Sequence, residues 1–172
     1  MNPPDTFEAD FRRVFDERFP ALFRYLDRLC ADPDLAADLA QEAFVRLYER
    51  KTMPLEVRTW LVAVSSNLLR DERRRRSRRR RLLLGRAASD LMGDSEPSPD
   101  AGPLRAEVRQ MVRAALDTLP ERDAQLLLLR EEGLSYREIA LALGLNEVSV
   151  GTLLLRARAA FQTAMEARPY AS

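Results

Sequence analysis

Apolar side chains recur three or four positions apart along almost the whole chain, and alternation of the β type is absent. That spacing predicts an all-α protein. Phe7, Phe11, Val14 and Phe15 mark one helical face. Leu22, Phe23, Leu26 and Leu29 mark another after Pro20, which predicts a separate helix with Pro20 in its first turn, where the missing N–H costs little. Asp32-Pro33-Asp34 is a turn and cap. The next helix is predicted from about Leu35 to Arg50, with Leu35, Leu39, Ala43 and Leu47 inward. Lys51–Leu55, containing Pro54, breaks the pattern. A long helix follows with Trp60, Leu61, Val64 and Leu68 inward, and its end enters a run of arginines. Trp60 is the one residue here with two readings, since a lone Trp on an apolar face packs in a core more often than it contacts a ligand.

The pattern then lapses. Ala88 to Pro103 reads ASDLMGDSEPSPDAGP, rich in Pro, Gly, Ser and acid and without helical period, which predicts a flexible acidic linker over residues 87–103. It separates a first domain, residues 5–86, from a second, residues 104–168. In the second, Leu104, Val108, Val112 and Leu116 give a helix ending before Leu119-Pro120, and another spans about Glu121 to Glu132 and stops at Gly133. Ser135-Tyr136-Arg137-Glu138 fits a capping box, so a helix starts at Tyr136 and stops at Gly144. Asn146 caps a last helix, about Glu147 to Glu166. Two helices joined by a short Gly-containing turn have helix-turn-helix spacing. Val150, Leu154, Ala157 and Phe161 form the inward stripe of the last helix. Ser149, Thr152, Leu153 and Arg156 fall on its other side, where a DNA reader meets the major groove.

Composition narrows the chemistry. The 172 residues contain no histidine and one cysteine, Cys30. That excludes His-based acid–base catalysis, an internal disulfide and any His- or multi-Cys metal site, so no catalytic residue, metal or cofactor is expected. No charged-then-apolar leader and no apolar run near membrane-spanning length occurs, so a soluble, cytoplasmic protein without membrane insertion is expected. The net charge of +1 conceals a strong segregation. Residues 1–50 are net −4, residues 51–86 net +9, residues 87–104 net −4 and residues 105–172 neutral. Arg73–Arg76 and Arg78–Arg81 place eight arginines in nine positions. Such a run exceeds an ordinary solvated face and points to a polyanion, with nucleic acid the natural candidate.

The residues then match a family. LPERDAQLLLLREEGLSYREIALALGLNEVSVGTLLLRARAAF resembles the promoter-binding region 4 of bacterial sigma factors. Asp38-Leu39-Ala40-Gln41-Glu42, and Trp60-Leu61 followed by Asn67, Asp71 and Arg74, resemble region 2. The order of the two, with only a short acidic linker between, is similar to the extracytoplasmic-function group, and the resemblance covers about residues 7–165. It implies that Asp38, Gln41, Glu42 and Val45, which share one helical stripe, dock on the β′ clamp helices of core RNA polymerase, a partner built of β and β′ subunits. It implies that the loop after Lys51 and the next helix read and melt the −10 element through Lys51, Arg58, Asn67, Arg73, Arg74, Arg75 and Arg76. It implies that Arg137, Ser149, Thr152, Leu153, Arg156 and Arg158 meet the −35 element. The family further implies that the linker crosses the polymerase interior and that an anti-sigma factor is a partner.

The second domain departs from the family in one place. Members carry basic residues within the recognition helix in a T-V-K-S-R arrangement, whereas this chain has Ser149-Val150-Gly151-Thr152-Leu153. Gly151 costs about 1 kcal/mol of helix propensity, and Leu153 can meet a thymine methyl but cannot make a bidentate guanine contact. Two other readings stay open on the residues alone. One is a one-component helix-turn-helix regulator; the other is a helical adaptor without promoter activity.

Overall fold

The computed structural model describes residues 3–83 and 103–167. The predicted linker therefore lies outside the described residues, apart from Pro103. Seven helices occur among the described residues: α1 (Pro3–Cys30), α2 (Pro33–Arg50), α3 (Val57–Leu83), α4 (Pro103–Leu116), α5 (Glu121–Glu131), α6 (Tyr136–Leu143) and α7 (Glu147–Glu166). The chain divides into two compact units, with the division between Asp94 and Ser95. Among the described residues no single helix is long and apolar enough to cross a membrane.

In the first unit α1, α2 and α3 pack against one another. Pro20 lies inside α1, which runs unbroken where a helix start was expected. A mid-helix proline costs about 3 kcal/mol through its missing N–H and ring clash. The offset comes from packing on both sides of it. Phe7, Phe11, Phe15 and Phe19 lie one helical turn apart, and the Phe15 and Phe44 rings meet edge-to-face at 4.9 Å. Phe11 and Phe19 also meet Phe44, at 6.2 and 5.9 Å. The aromatic ladder thus clamps the half of α1 before the proline onto α2, and buried Leu22, Tyr25, Leu26 and Leu29 anchor the half after it.

α2 begins where Asp32 Oδ1 accepts from the Leu35 N–H at 3.0 Å, with Pro33 in the first turn. It buries Ala36, Leu39, Ala40, Ala43, Phe44 and Leu47. Three of the six are alanines, which lets α2 approach its neighbours closely. It ends at Lys51, whose φ of 57° places a non-glycine residue in the left-handed region.

α3 turns a different face inward from the one expected. Leu61 is buried, but Trp60, Val64 and Leu68 are half-buried, and the covered positions are Thr59, Leu61, Val62, Ser65, Ser66 and Leu69. Two serines occupy the core because both hydroxyls are satisfied there. Ser65 donates to the Val62 carbonyl at 3.1 Å, and Ser66 shares a 3.2 Å hydrogen bond with the phenol of buried Tyr25 on α1.

The second unit is built around α7, which packs on α4, α5 and α6. Leu126, Leu129, Leu134, Ile139, Val150 and Leu154 are its largest fully buried residues. On α4, Val108 was expected inward and is exposed; Ala115 and Leu116 take the covered positions. Gly133 and Gly144, both at positive φ, end α5 and α6. Each is followed by a leucine whose N–H reaches back into the last turn, Leu134 to Leu129 at 3.1 Å and Leu145 to Ala140 at 2.8 Å.

Candidate functional site

On α2 the face opposite the buried stripe carries Asp38, Gln41, Glu42 and Val45, all exposed, with Val45 at 48%. Glu42 accepts from Arg46 at 2.9 Å. The four positions expected on one stripe therefore do share one, and the buried face behind them fixes its direction. It offers carboxylates, a carboxamide and one aliphatic group to a partner.

The break after α2 covers residues 51–56 and carries Leu55, which is fully exposed at 101%. Sequence reasoning did not single out Leu55. Its only signal was an apolar residue directly after Pro54 in a segment with no helical period. Lys51 is exposed, yet its side chain lies across aromatic rings. Its ammonium sits 3.4 Å from the centroid of the Tyr48 ring and 5.9 Å from that of Phe7, a cation–π arrangement that holds the start of the loop against α1 and α2. Asn67 is exposed on α3 and accepts from Arg70 at 3.1 Å. Arg58 is half-buried.

The arginine run is helical throughout, to Leu83. Its members divide into two kinds. Arg73 is half-buried and donates to the Leu29 carbonyl at the end of α1, at 3.0 Å. Arg76 pairs with Glu72 at 2.9 Å and with Asp32 at 3.6 Å. Its pKa is raised, first by the hydrogen bond to Glu72. Asp32 thus holds the N-terminus of α2 with one oxygen and faces Arg76 with the other. These contacts tie two arginines of the run to the fold. Like Arg76, whose side chain stays 58% exposed, Arg74, Arg75, Arg78, Arg79, Arg80 and Arg81 are exposed, and at 100° per residue these six surround the helix. Arginines four apart, such as Arg74–Arg78 and Arg75–Arg79, repel each other, so this end of α3 gains from a polyanion.

In the second unit, the capping box at α6 is formed in both directions. The Ser135 N–H donates to Glu138 Oε2 at 2.7 Å, and the Glu138 N–H donates to Ser135 Oγ at 3.2 Å. At α7, Asn146 Oδ1 accepts from the Val148 N–H at 3.1 Å. The chain bends by 94° between α6 and α7, within the helix-turn-helix range. Arg137, Ser149, Thr152, Arg156 and Arg158 are exposed. Arg158 lines a shallow concavity of about 430 Å³ with Leu127, Arg130, Glu131 and Gly133. Leu153, expected on the reading face, is half-buried on its flank, while Val148 and Leu155 stand out into solvent. The signal was present: three consecutive leucines, 153–155, step 200° around a helix, so they cannot share one environment.

The space around Gly151 does not demand glycine. A Cβ there would lie 3.4 Å from Cε2 of Tyr136, whose ring covers this part of α7. Arg130 lies over the same ring, at 5.5 Å, and donates to the Leu134 carbonyl at 2.9 Å. The only cysteine, Cys30, is free and half-buried, and its thiol donates to the Leu26 carbonyl at 2.9 Å. Burial pushes its pKa up. Among the described residues no cluster of His, Cys, Asp or Glu could hold a metal ion.

Comparison with known proteins agrees with this architecture. The family model for sigma-70 region 2 matches residues 14–79, and that for sigma-70 region 4 matches residues 109–161. The chain is 33% identical over 140 residues to the ECF RNA polymerase sigma factor SigE of Mycolicibacterium smegmatis, covering 80% of this chain and 54% of that one. It is 31% identical over 149 residues to the RNA polymerase sigma-H factor of Pseudomonas aeruginosa, covering 81% and 77%. The chain spans about half the length of most curated relatives it matches, and about a third of one. Among solved structures, the sigma factor RpoE of Bartonella quintana, in complex with the anti-sigma factor NepR, shares the fold. Its TM-score is 0.74 at 21% identity, over 93% of this chain and 99% of that one. With both regions matched in order and a relative 31% identical over most of its length, the chain belongs to the sigma-70 family of RNA polymerase sigma factors, in its extracytoplasmic-function group.

Proposed function

We propose that this chain is a dissociable sigma factor, which docks on core RNA polymerase and directs promoter-specific initiation by reading −35 and −10 elements. One observation carries the reading: a single chain joins an α2 helix with an exposed mixed stripe to a separate helix-turn-helix. A one-component regulator needs the second feature but not the first. The chain contributes no catalytic group, since nucleotide addition belongs to the polymerase, and it acts in the cytoplasm, where polymerase and promoter are.

Asp38, Gln41, Glu42 and Val45 meet the β′ clamp helices, where carboxylates and a carboxamide suit arginine donors. The loop after Lys51, with Arg58 and Asn67, meets the unstacked −10 strand. Extrusion of a base costs a few kcal/mol, which stacking and edge contacts offset. Arg74, Arg75 and Arg78–Arg81 neutralise phosphates around the melted segment. Arg73 and Arg76 hold the helix that presents them. The segment 87–103 is the acidic tether that crosses the polymerase interior. Arg137 and Arg156 position the helix-turn-helix on phosphates of the −35 element. An anti-sigma protein is the regulatory partner, a reading supported by the fold shared with a sigma factor solved in such a complex.

The test is assembly. The chain is expected to co-purify with core polymerase and to retain promoter DNA only in its presence. Asp38→Ala and Gln41→Ala each remove an exposed group and leave the fold intact to within about 0.5 kcal/mol. Each should weaken core binding about tenfold or more, since a hydrogen bond to a charged group is worth about 1.5–3 kcal/mol. Unchanged core affinity in both variants would remove α2 from the interface.

A further inference from the structure

The outward face of α7 is aliphatic at its centre. Val148, Thr152, Leu155 and Ala159 follow one another at four, three and four residues, so they form one stripe. All four are exposed, Val148 at 88% and Leu155 at 69%. The stripe lies opposite buried Val150, Leu154 and Ala157, so it contributes nothing to the core. Two large aliphatic side chains, Val148 in the first turn and Leu155 two turns further on, lie in the first half of the second helix of the helix-turn-helix, the part that meets base edges.

Residues 147–155 contain no cation, and Gly151 presents no side chain. Ser149 and Arg156 flank the stripe. Glu147, in the first turn, accepts hydrogen bonds only and so suits an exocyclic amino group, not the acceptor edge of guanine. Residues 147–155 therefore supply no bidentate donor that reads guanine, and Arg156 at their edge is the nearest one. The apolar group that base pairs do present in the major groove is the thymine C5-methyl.

We propose that Val148 and Leu155, with the Thr152 methyl between them, read thymine methyl groups, so that thymine positions rather than guanines define the −35 element of this chain. The proposal deepens the promoter-binding function given above and rests on it. Arg137 and Arg156 supply the phosphate grip, and the aliphatic stripe supplies the discrimination.

The experiment uses holoenzyme assembled from core polymerase and the full chain. The −35 element is selected from a randomised duplex, and each thymine in it is then replaced by deoxyuridine, which removes the methyl alone. Affinity should fall about fourfold at each contacted thymine, the value for one buried methyl-sized group of about 0.8 kcal/mol. Val148→Ser and Leu155→Ser should each abolish the thymine–uracil difference at a different position while circular dichroism of the chain stays unchanged. Sequence-specific binding that is indifferent to every deoxyuridine overturns the proposal, as does discrimination that survives both substitutions. If the two substitutions instead weaken assembly with core and leave discrimination intact, the stripe is a protein contact and the proposal fails. If holoenzyme selects no element at all, the promoter-binding function itself fails, an outcome distinct from the others.

Discussion

The division within the arginine run makes the sharpest prediction. Arg73 donates to the Leu29 carbonyl at 3.0 Å from a half-buried position, whereas Arg75 and Arg78 are exposed. Substitution by Gln keeps helix propensity and removes the charge. Arg73→Gln deletes a charge-assisted hydrogen bond that closes α1, at a cost of about 1.5–3 kcal/mol. The first domain should then melt several degrees lower, with little change in the salt dependence of promoter binding. Arg75→Gln and Arg78→Gln should leave the melting temperature within about a degree, since exposed positions are worth under about 0.5 kcal/mol. Each should lower the slope of log affinity against log salt by about one. With Arg74, Arg75 and Arg78–Arg81 engaged, their share of that slope is about −4 to −5, between the single-strand and duplex coefficients. Raising salt from 50 to 200 mM would then cost on the order of a thousandfold in affinity. The assay is promoter binding by holoenzyme across a salt series, with thermal denaturation of each free variant. Equal slope changes for Arg73→Gln and Arg75→Gln would refute the division into structural and DNA-facing arginines.

Three further predictions concern the scaffold. Gly151→Ala should raise the stability of the second domain by about 0.5–1 kcal/mol, because the added Cβ meets Tyr136 at ordinary contact distance of 3.4 Å; a lower melting temperature would show that Tyr136 cannot yield there. Pro20→Ala should stabilise the first domain by about 2 kcal/mol, the helix gain of about 3 kcal/mol less the greater freedom of the unfolded chain; chemical denaturation checks it, and no gain would mean that α1 bends to relieve the proline. Cys30 should alkylate slowly near pH 8 in the native chain and quickly in denaturant, because burial raises the thiol pKa and so lowers the thiolate fraction. Equal rates in the two conditions would contradict the burial.

Much of the architecture was legible in the sequence because local chemistry and tertiary packing agree there. The Ser135 capping box, the Gly133 and Gly144 stops and the Asn146 cap all formed as their residue types dictate. The exposed stripe of Asp38, Gln41, Glu42 and Val45 was legible for the same reason, since alanines and Leu39 left the opposite face no alternative. Pro20 misled because its local rule was overridden by Phe15 and Phe19 packing on Phe44, residues distant in sequence. On α3, large apolar residues suggested the inward face, but small serines with satisfied hydroxyls occupied it. The arginines could not be sorted from sequence at all. Arg73 and Arg74 are the same residue type, and only the position of the Leu29 carbonyl and of Asp32 separates Arg73 and Arg76, which pair within the first domain, from the other six.

The central claim is that this chain confers promoter choice on core polymerase. The direct measurement is transcription in vitro from sheared genomic DNA of the source organism, by core polymerase with and without the chain, with every transcript 5′ end mapped. The account predicts a set of start sites that appears only with the chain, preceded at a fixed distance by a common −10 motif and a thymine-containing −35 motif, and lost with Asp38→Ala or Gln41→Ala. An unchanged set of start sites, or tight binding of the chain to a duplex operator in the absence of core, would contradict it.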